Sequence, residues 1–87
     1  MGMLNKETLQ DVRLEFTMKR LSVNVKRLRK ERGWSQTDLA DKIDSSQSVV
    51  HDIESNHGYN PTIFTIVKVA SAFGLTVSQI LNPHLKV

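Results

Sequence analysis

The sequence has no cysteine, two prolines and four glycines in 87 residues, and its aromatics are three Phe, one Trp and one Tyr. Each shortage removes a class of protein. Without cysteine, neither disulfides nor thiolate metal sites can form. His51, His57 and His84 make no metal-ligand spacing with the available carboxylates, so no cofactor is expected. No segment is long and apolar enough to cross a membrane. The first residues, Met1 to Lys6, lack the apolar run of a signal peptide, and Lys6 stands where myristoylation needs Ser or Thr. A cytoplasmic location is expected. A chain of this size makes one domain that buries about 60% of its unfolded surface. That is enough for a helical core and leaves little room for an enzyme cleft. No Ser-His-Asp arrangement can be read either, so an enzyme is not expected.

What is present is unevenly charged. The net charge is only +3. Between Lys19 and Arg32, however, seven basic residues face Glu31 alone, a net +6 over fourteen residues. From Gly33 to Glu54 the balance reverses to −4, with Lys42 against Asp38, Asp41, Asp44, Asp52 and Glu54. A basic run can be a solvated helix face and nothing more. Beside a nucleic-acid-binding element it becomes a phosphate-facing surface.

Apolar spacing and caps predict an all-α chain. Residues 1–20 are ambiguous. Leu14, Met18, Leu21, Val25 and Leu28 recur at 4, 3, 4, 3, which suits one long helix, while Val12, Leu14, Phe16 and Met18 alternate with polar residues as in a strand. A lone strand has no partner in so short a chain, which favours the helix. A first helix proper is expected from Leu21 to Arg32, stopped by Gly33 in a left-handed C-terminal cap. Ser35 starts a second helix, with Asp38 completing a box-like N-terminus. Leu39, Ala40 and Ile43 form its inner face. Asp44-Ser45 is a turn. Ser46 caps a third helix running to Ser55, with Val50 and Ile53 inward. Residues 56–61 read as a loop. Thr62 caps a fourth helix whose apolar residues are Ile63, Ile66, Val67, Val69, Ala70 and Phe73, and Gly74 ends it. Thr76 and Gln79 form a capping box for a fifth helix with Val77, Ile80 and Leu81. The expected organisation is an N-terminal extension over 1–20, a five-helix orthogonal bundle over 21–82 and a short tail over 83–87. The second and third helices have the layout of a helix-turn-helix. The third helix turns Gln47, Ser48, His51, Asp52 and Ser55 outward, spaced i, i+1, i+4, i+5, i+8.

Several ordered elements carry a family resemblance: Arg29 before Gly33, Ser35-Gln36-x-Asp38-Leu39-Ala40, Ser46-Gln47-Ser48, Val50-x-x-Ile53-Glu54, Pro61-Thr62, and Lys68-x-Ala70-x-Ala72-x-Gly74-Leu75. From Leu21 to Leu81 the chain resembles the phage-repressor (Xre-type) helix-turn-helix family, which includes lambda-type repressors and Cro. The resemblance implies the lambda-repressor-like fold and a sequence-specific DNA-binding regulator, a repressor that binds a palindromic operator as a homodimer. It implies that Gln47, Ser48 and Asp52 face base edges, with His51 on the same stripe. Gln47 has the best chemistry, because its amide can pair in bidentate fashion with adenine. Phosphate contacts are implied for Ser35, Gln36 and Ser46, where helix N-termini favour an anion, for Ser55 at the end of the third helix, and for Lys26, Arg27 and Arg29 on the basic first helix. Arg29 and Glu54 match a structural ion pair of the family. For a dimer surface the candidates are Val77, Ile80 and Leu85, or Leu9, Val12 and Phe16.

Four positions depart from the family pattern. Asp44 stands where Gly is common. Ser45 replaces a small apolar residue. The third helix has no Lys or Arg, and Asp52 points an acid toward DNA. The loop before Pro61 is one residue longer than the commonest spacing. The acidic third helix and the first twenty residues keep an alternative open: an antitoxin whose main partner is a toxin protein. Trp34 reads as a core anchor, and the histidines as surface or loop groups.

Overall fold

The computed structural model describes residues 6–57 and 60–85, with side chains described for 16–57 and 60–85. The described residues are all-helical: α1 (Lys6–Glu31), α2 (Gln36–Lys42), α3 (Gln47–Ser55), α4 (Ile63–Ala72) and α5 (Val77–Ile80).

Helix α1 runs through residue 20 without a break, so the alternating pattern over 12–18 does not make a strand. A helix satisfies its own backbone groups, whereas a single strand leaves them unpaired. The register also favours the helix. Met18 packs against the core, and Leu21, Val25 and Leu28 are buried in it. From α2 the core receives Leu39 and Ala40, followed by Ile43 at the helix end. Val50 and Ile53 come from α3, Ile66, Val69 and Ala70 from α4, then Phe73 and, from α5, Ile80.

Local chemistry sets the helix ends. Gly33 (φ 69°) and Gly74 (φ 71°) adopt the left-handed conformation after α1 and α4. Ser35 and Asp38 form a reciprocal capping box on α2, as do Thr76 and Gln79 on α5. Ser46 and Thr62 cap α3 and α4 through their side-chain oxygens. Asp44 is left-handed at φ 53°, the conformation that Gly would adopt more cheaply.

Buried polar groups on α1 tie the bundle together. The Asn24 amide donates to the carbonyls of Ile80 (2.7 Å) and Asn82 (2.9 Å), closing the end of α5. Ser22 Oγ donates to the Glu54 carbonyl at 2.6 Å, fixing the last turn of α3. Trp34 stacks on Phe73 with ring centroids 5.4 Å apart. The Arg32 guanidinium lies 5.3 Å from each ring, and Lys42 covers Trp34 at 4.4 Å. Trp34 is therefore an anchor already covered by cations.

Ile63 is 67% exposed and Val67 is also exposed, together with Phe64, so the apolar content of α4 exceeds what its inner face uses. Ile80 is fully buried, and Leu85 packs on the core. Val77 is also packed there but, like Leu85, is only partly buried, so within the fifth-helix and tail group it is Ile80 that is closed to a second copy. A helix of four residues is too short for its spacing to separate an inner from an outer face. Of the N-terminal candidates, Phe16 is 59% exposed, while the side chains of Leu9 and Val12 lie outside the described residues.

Candidate nucleic-acid interface

Helices α2 and α3 pack against each other, and α1 crosses α3 from behind. Val50 and Ile53 hold α3 to the core. Gln47, Ser48 and His51 are exposed, while Asp52 and Ser55 are half-buried on the same helix. Ser55 Oγ donates to the Asp52 carbonyl at 3.3 Å, so its hydroxyl proton is turned back into the helix.

A chain of hydrogen bonds crosses this surface. Gln47 Nε2 donates to Gln36 Oε1 at 2.6 Å. Gln36 Nε2 donates to Glu54 Oε1 at 3.2 Å. Arg29 grips both Glu54 oxygens, Nε to Oε2 at 2.6 Å and Nη2 to Oε1 at 2.9 Å, and Nη1 donates to the Trp34 carbonyl at 2.7 Å. The Glu54 side chain is 3% exposed and that of Arg29 10%. The carboxylate hydrogen bond raises the Arg29 pKa above its ordinary value, against the opposing effect of burial, so the guanidinium stays charged. Arg29 is thus engaged inside the domain.

The remaining cations divide by side. Lys26 is exposed one helical turn beyond Ser22, on the flank where α1 meets the end of α3. Arg27 is turned the other way. It donates to Glu31 at 3.1 Å and to the Leu85 carbonyl at 2.8 Å.

At the helix starts, Ser35 Oγ accepts from the Asp38 amide at 3.0 Å and Ser46 Oγ accepts from the Val49 amide at 3.4 Å. The Ser46 hydroxyl, which accepts in its cap, keeps its proton as a donor. Asp38, bonded to the Ser35 backbone and hydroxyl, is held below the usual carboxylate range. Among the described residues no group of three or more His, Asp or Glu is placed to hold a metal ion, and no helix is long and apolar enough to cross a membrane.

Sequence reasoning missed Ser22, Asn24 and Arg32 as structural donors and did not connect Gln36 to Gln47. The signal for the last was present: two glutamines, each at the first position of adjoining helices, Gln36 opening α2 and Gln47 opening α3.

Comparison with known proteins agrees with this geometry. The helix-turn-helix family profile matches residues 25–80. The chain is 44% identical over 58 residues to the immunity repressor protein of Bacillus phage phi105, covering 67% of this chain and 40% of that protein. It is 35% identical over 63 residues to the HTH-type transcriptional regulator SutR of Escherichia coli K12 (72% and 35% covered). It is 44% identical over 57 residues to the competence pilus inhibition repressor of Acinetobacter baylyi (64% and 50% covered). The chain spans half or less of the length of these three relatives. No solved structure matches it. With the profile spanning residues 25–80 and the α2–α3 pair in place, the chain belongs to the helix-turn-helix family, phage-repressor (Xre) type.

Proposed function

We propose that this chain binds DNA sequence-specifically as a transcriptional repressor, with α3 in the major groove. The observation that carries the reading is the exposed Gln47 amide at the start of α3, held from behind by Gln36. One Gln47 N–H is engaged there, which leaves the carbonyl oxygen and the second N–H for an adenine edge. Ser48 and His51 stand beside it as further base contacts, and Asp52 accepts from a cytosine amino group. The relatives named as repressors support the sign of regulation.

Gln36 and Ser46 are proposed to position the helices on phosphates through amide and hydroxyl donors, with Ser35 contributing less because its hydroxyl and backbone N–H already serve Asp38. Lys26 supplies charge from the α1 flank. Arg29 serves mainly by holding Glu54, and Arg27 by holding the tail. Ser55 contributes little, since its hydroxyl already donates to the Asp52 carbonyl. The chain acts in the cytoplasm as a homodimer on a two-fold operator, with recognition helices about one DNA turn apart, on the order of 34 Å. The exposed apolar groups of α4, Ile63, Phe64 and Val67, and Phe16 and Val23 of α1 are the surfaces open to the second copy. No observation favours a toxin partner over DNA.

Titration against operator and scrambled duplexes tests this reading. Gln47→Ala should lower preference at one operator position by about 1–3 kcal/mol and leave non-specific binding unchanged. Equal binding of wild type to every sequence, or none to any genomic fragment, would remove the proposal.

A further inference from the structure

We propose that Glu54, which no base can reach, is a specificity-positioning residue: its carboxylate fixes which way round the amides of Gln36 and Gln47 sit. The proposal rests on the base-reading role of Gln47 given above. The argument is one of donors and acceptors. A carboxylate only accepts, so the group of Gln36 that faces it must be the nitrogen. The Gln36 oxygen then faces Gln47, and only the Gln47 nitrogen can donate to it, at 2.6 Å. Polarity runs outward from the buried carboxylate to the exposed amide. The inner end is rigid because Arg29 engages both Glu54 oxygens and Ser22 holds the Glu54 backbone carbonyl.

The consequence lies at the base edge. An exposed glutamine amide turns over readily, and its two orientations present donor and acceptor in opposite order. Adenine demands a fixed order, N–H toward N7 and C=O toward the N6 amino group. The relay from Glu54 keeps one order and disfavours the other before DNA arrives.

Two variants separate this role from a purely structural one. In Glu54→Gln the atom that faces both Gln36 and Arg29 Nη2 can be oxygen or nitrogen, so the carboxylate's strict demand for a donor is lost and Gln36, then Gln47, is no longer held to one orientation. Gln36→Met breaks the relay and leaves the Arg29–Glu54 pair in place. In isotope-labelled free protein, one side-chain amide proton of Gln47 should be shifted downfield and slow to exchange. Gln36→Met should abolish that signature. In selection from a randomised operator library, both variants should lose preference at the Gln47 base pair by on the order of tenfold, with relative preferences at other positions unchanged, while Gln36→Met also weakens every sequence alike through its lost phosphate contact. Neither should alter that position further in a Gln47→Ala background. Intact preference at the Gln47 base pair in both variants would reduce Glu54 to a structural residue. A Gln47 amide signal unchanged in Gln36→Met would overturn the relay itself, whether or not the protein binds DNA. Absence of DNA binding by wild type, with the amide signature present, would remove the base-reading role and leave the relay standing.

Discussion

Two arginines on α1, two positions apart, make different ion pairs. Arg29 meets Glu54 across the bundle, with side chains 10% and 3% exposed and both carboxylate oxygens engaged. Arg27 meets Glu31 one turn along its own helix, with side chains 35% and 49% exposed and a single contact at 3.1 Å. The residue type and the helix are the same. What differs is which side of α1 each occupies. Arg29 faces α3, where burial keeps water from the carboxylate. Arg27 faces water and the tail. The first pair decides how α1, α2 and α3 meet, and the second decorates a helix.

The largest expected effect comes from breaking the inner pair. Glu54→Ala leaves Arg29 charged, buried and half-satisfied, and should cost about 3–5 kcal/mol. For a domain of this size that lowers the melting midpoint by more than about 12 °C. Arg29→Met leaves the Glu54 carboxylate buried without its counter-charge and should cost a similar amount. Equal melting of Glu54→Ala and wild type in calorimetry would show that the pair contributes nothing despite its geometry.

The flank of α1 turned toward α3 should also matter more for DNA than the flank turned toward the tail. Lys26→Ala should weaken operator and scrambled DNA alike and reduce the salt slope by about 0.9, the value for one lost phosphate contact. Arg27→Lys, which keeps the charge and loses the two-partner geometry, should leave that slope unchanged. A reversed order in the two slopes would move the DNA to the other side of α1.

Much of the fold was legible because it is local. Each of Ser35, Ser46, Thr62 and Thr76 accepts from a backbone amide three residues ahead, and Gly33 and Gly74 take the left-handed turns. The groups that tie the bundle together were not legible. Asn24 finds its partner 56 residues away, and no spacing announces it. Ile63 and Val67 continue an apolar count on α4 that geometry divides between two faces. At the interface, residue types were readable from position in the motif. The link between Gln36 and Gln47 was signalled by their places at the starts of α2 and α3, but its geometry required knowing how the two helices cross.

A smaller effect tests the start of α2 through pH. The folded-state pKa of Asp38 is lowered by its hydrogen bonds to Ser35. A lowered carboxylate pKa stabilises the fold above the ordinary carboxylate value of the unfolded chain, and that stabilisation is lost as pH falls through the folded value. Denaturant midpoints of wild type should therefore fall between about pH 5 and pH 2 more than those of Asp38→Asn. Parallel curves for the two proteins would mean that the box contributes no acid sensitivity.

The smallest effect belongs to the outer pair and completes the comparison. Glu31→Ala removes the i,i+4 partner of Arg27 but leaves the Arg27 bond to the Leu85 carbonyl in place. The pair is exposed, so its attraction is screened and opposed by the entropy of two long side chains. About 0.3–0.5 kcal/mol is expected. At 1 M salt the screening length falls to about 3 Å, and even that contribution should vanish, while the loss in Glu54→Ala should persist. Glu31 also sits in the last turn of α1, where an acid opposes the negative end of the helix dipole. Its removal therefore relieves one unfavourable contact as it breaks a favourable one. A net change indistinguishable from zero at low salt is within this expectation. A loss above about 1 kcal/mol that survives high salt is not. It would mean that the Arg27, Glu31 and Leu85 group is a second organising contact, and that burial is not what separates the two arginines.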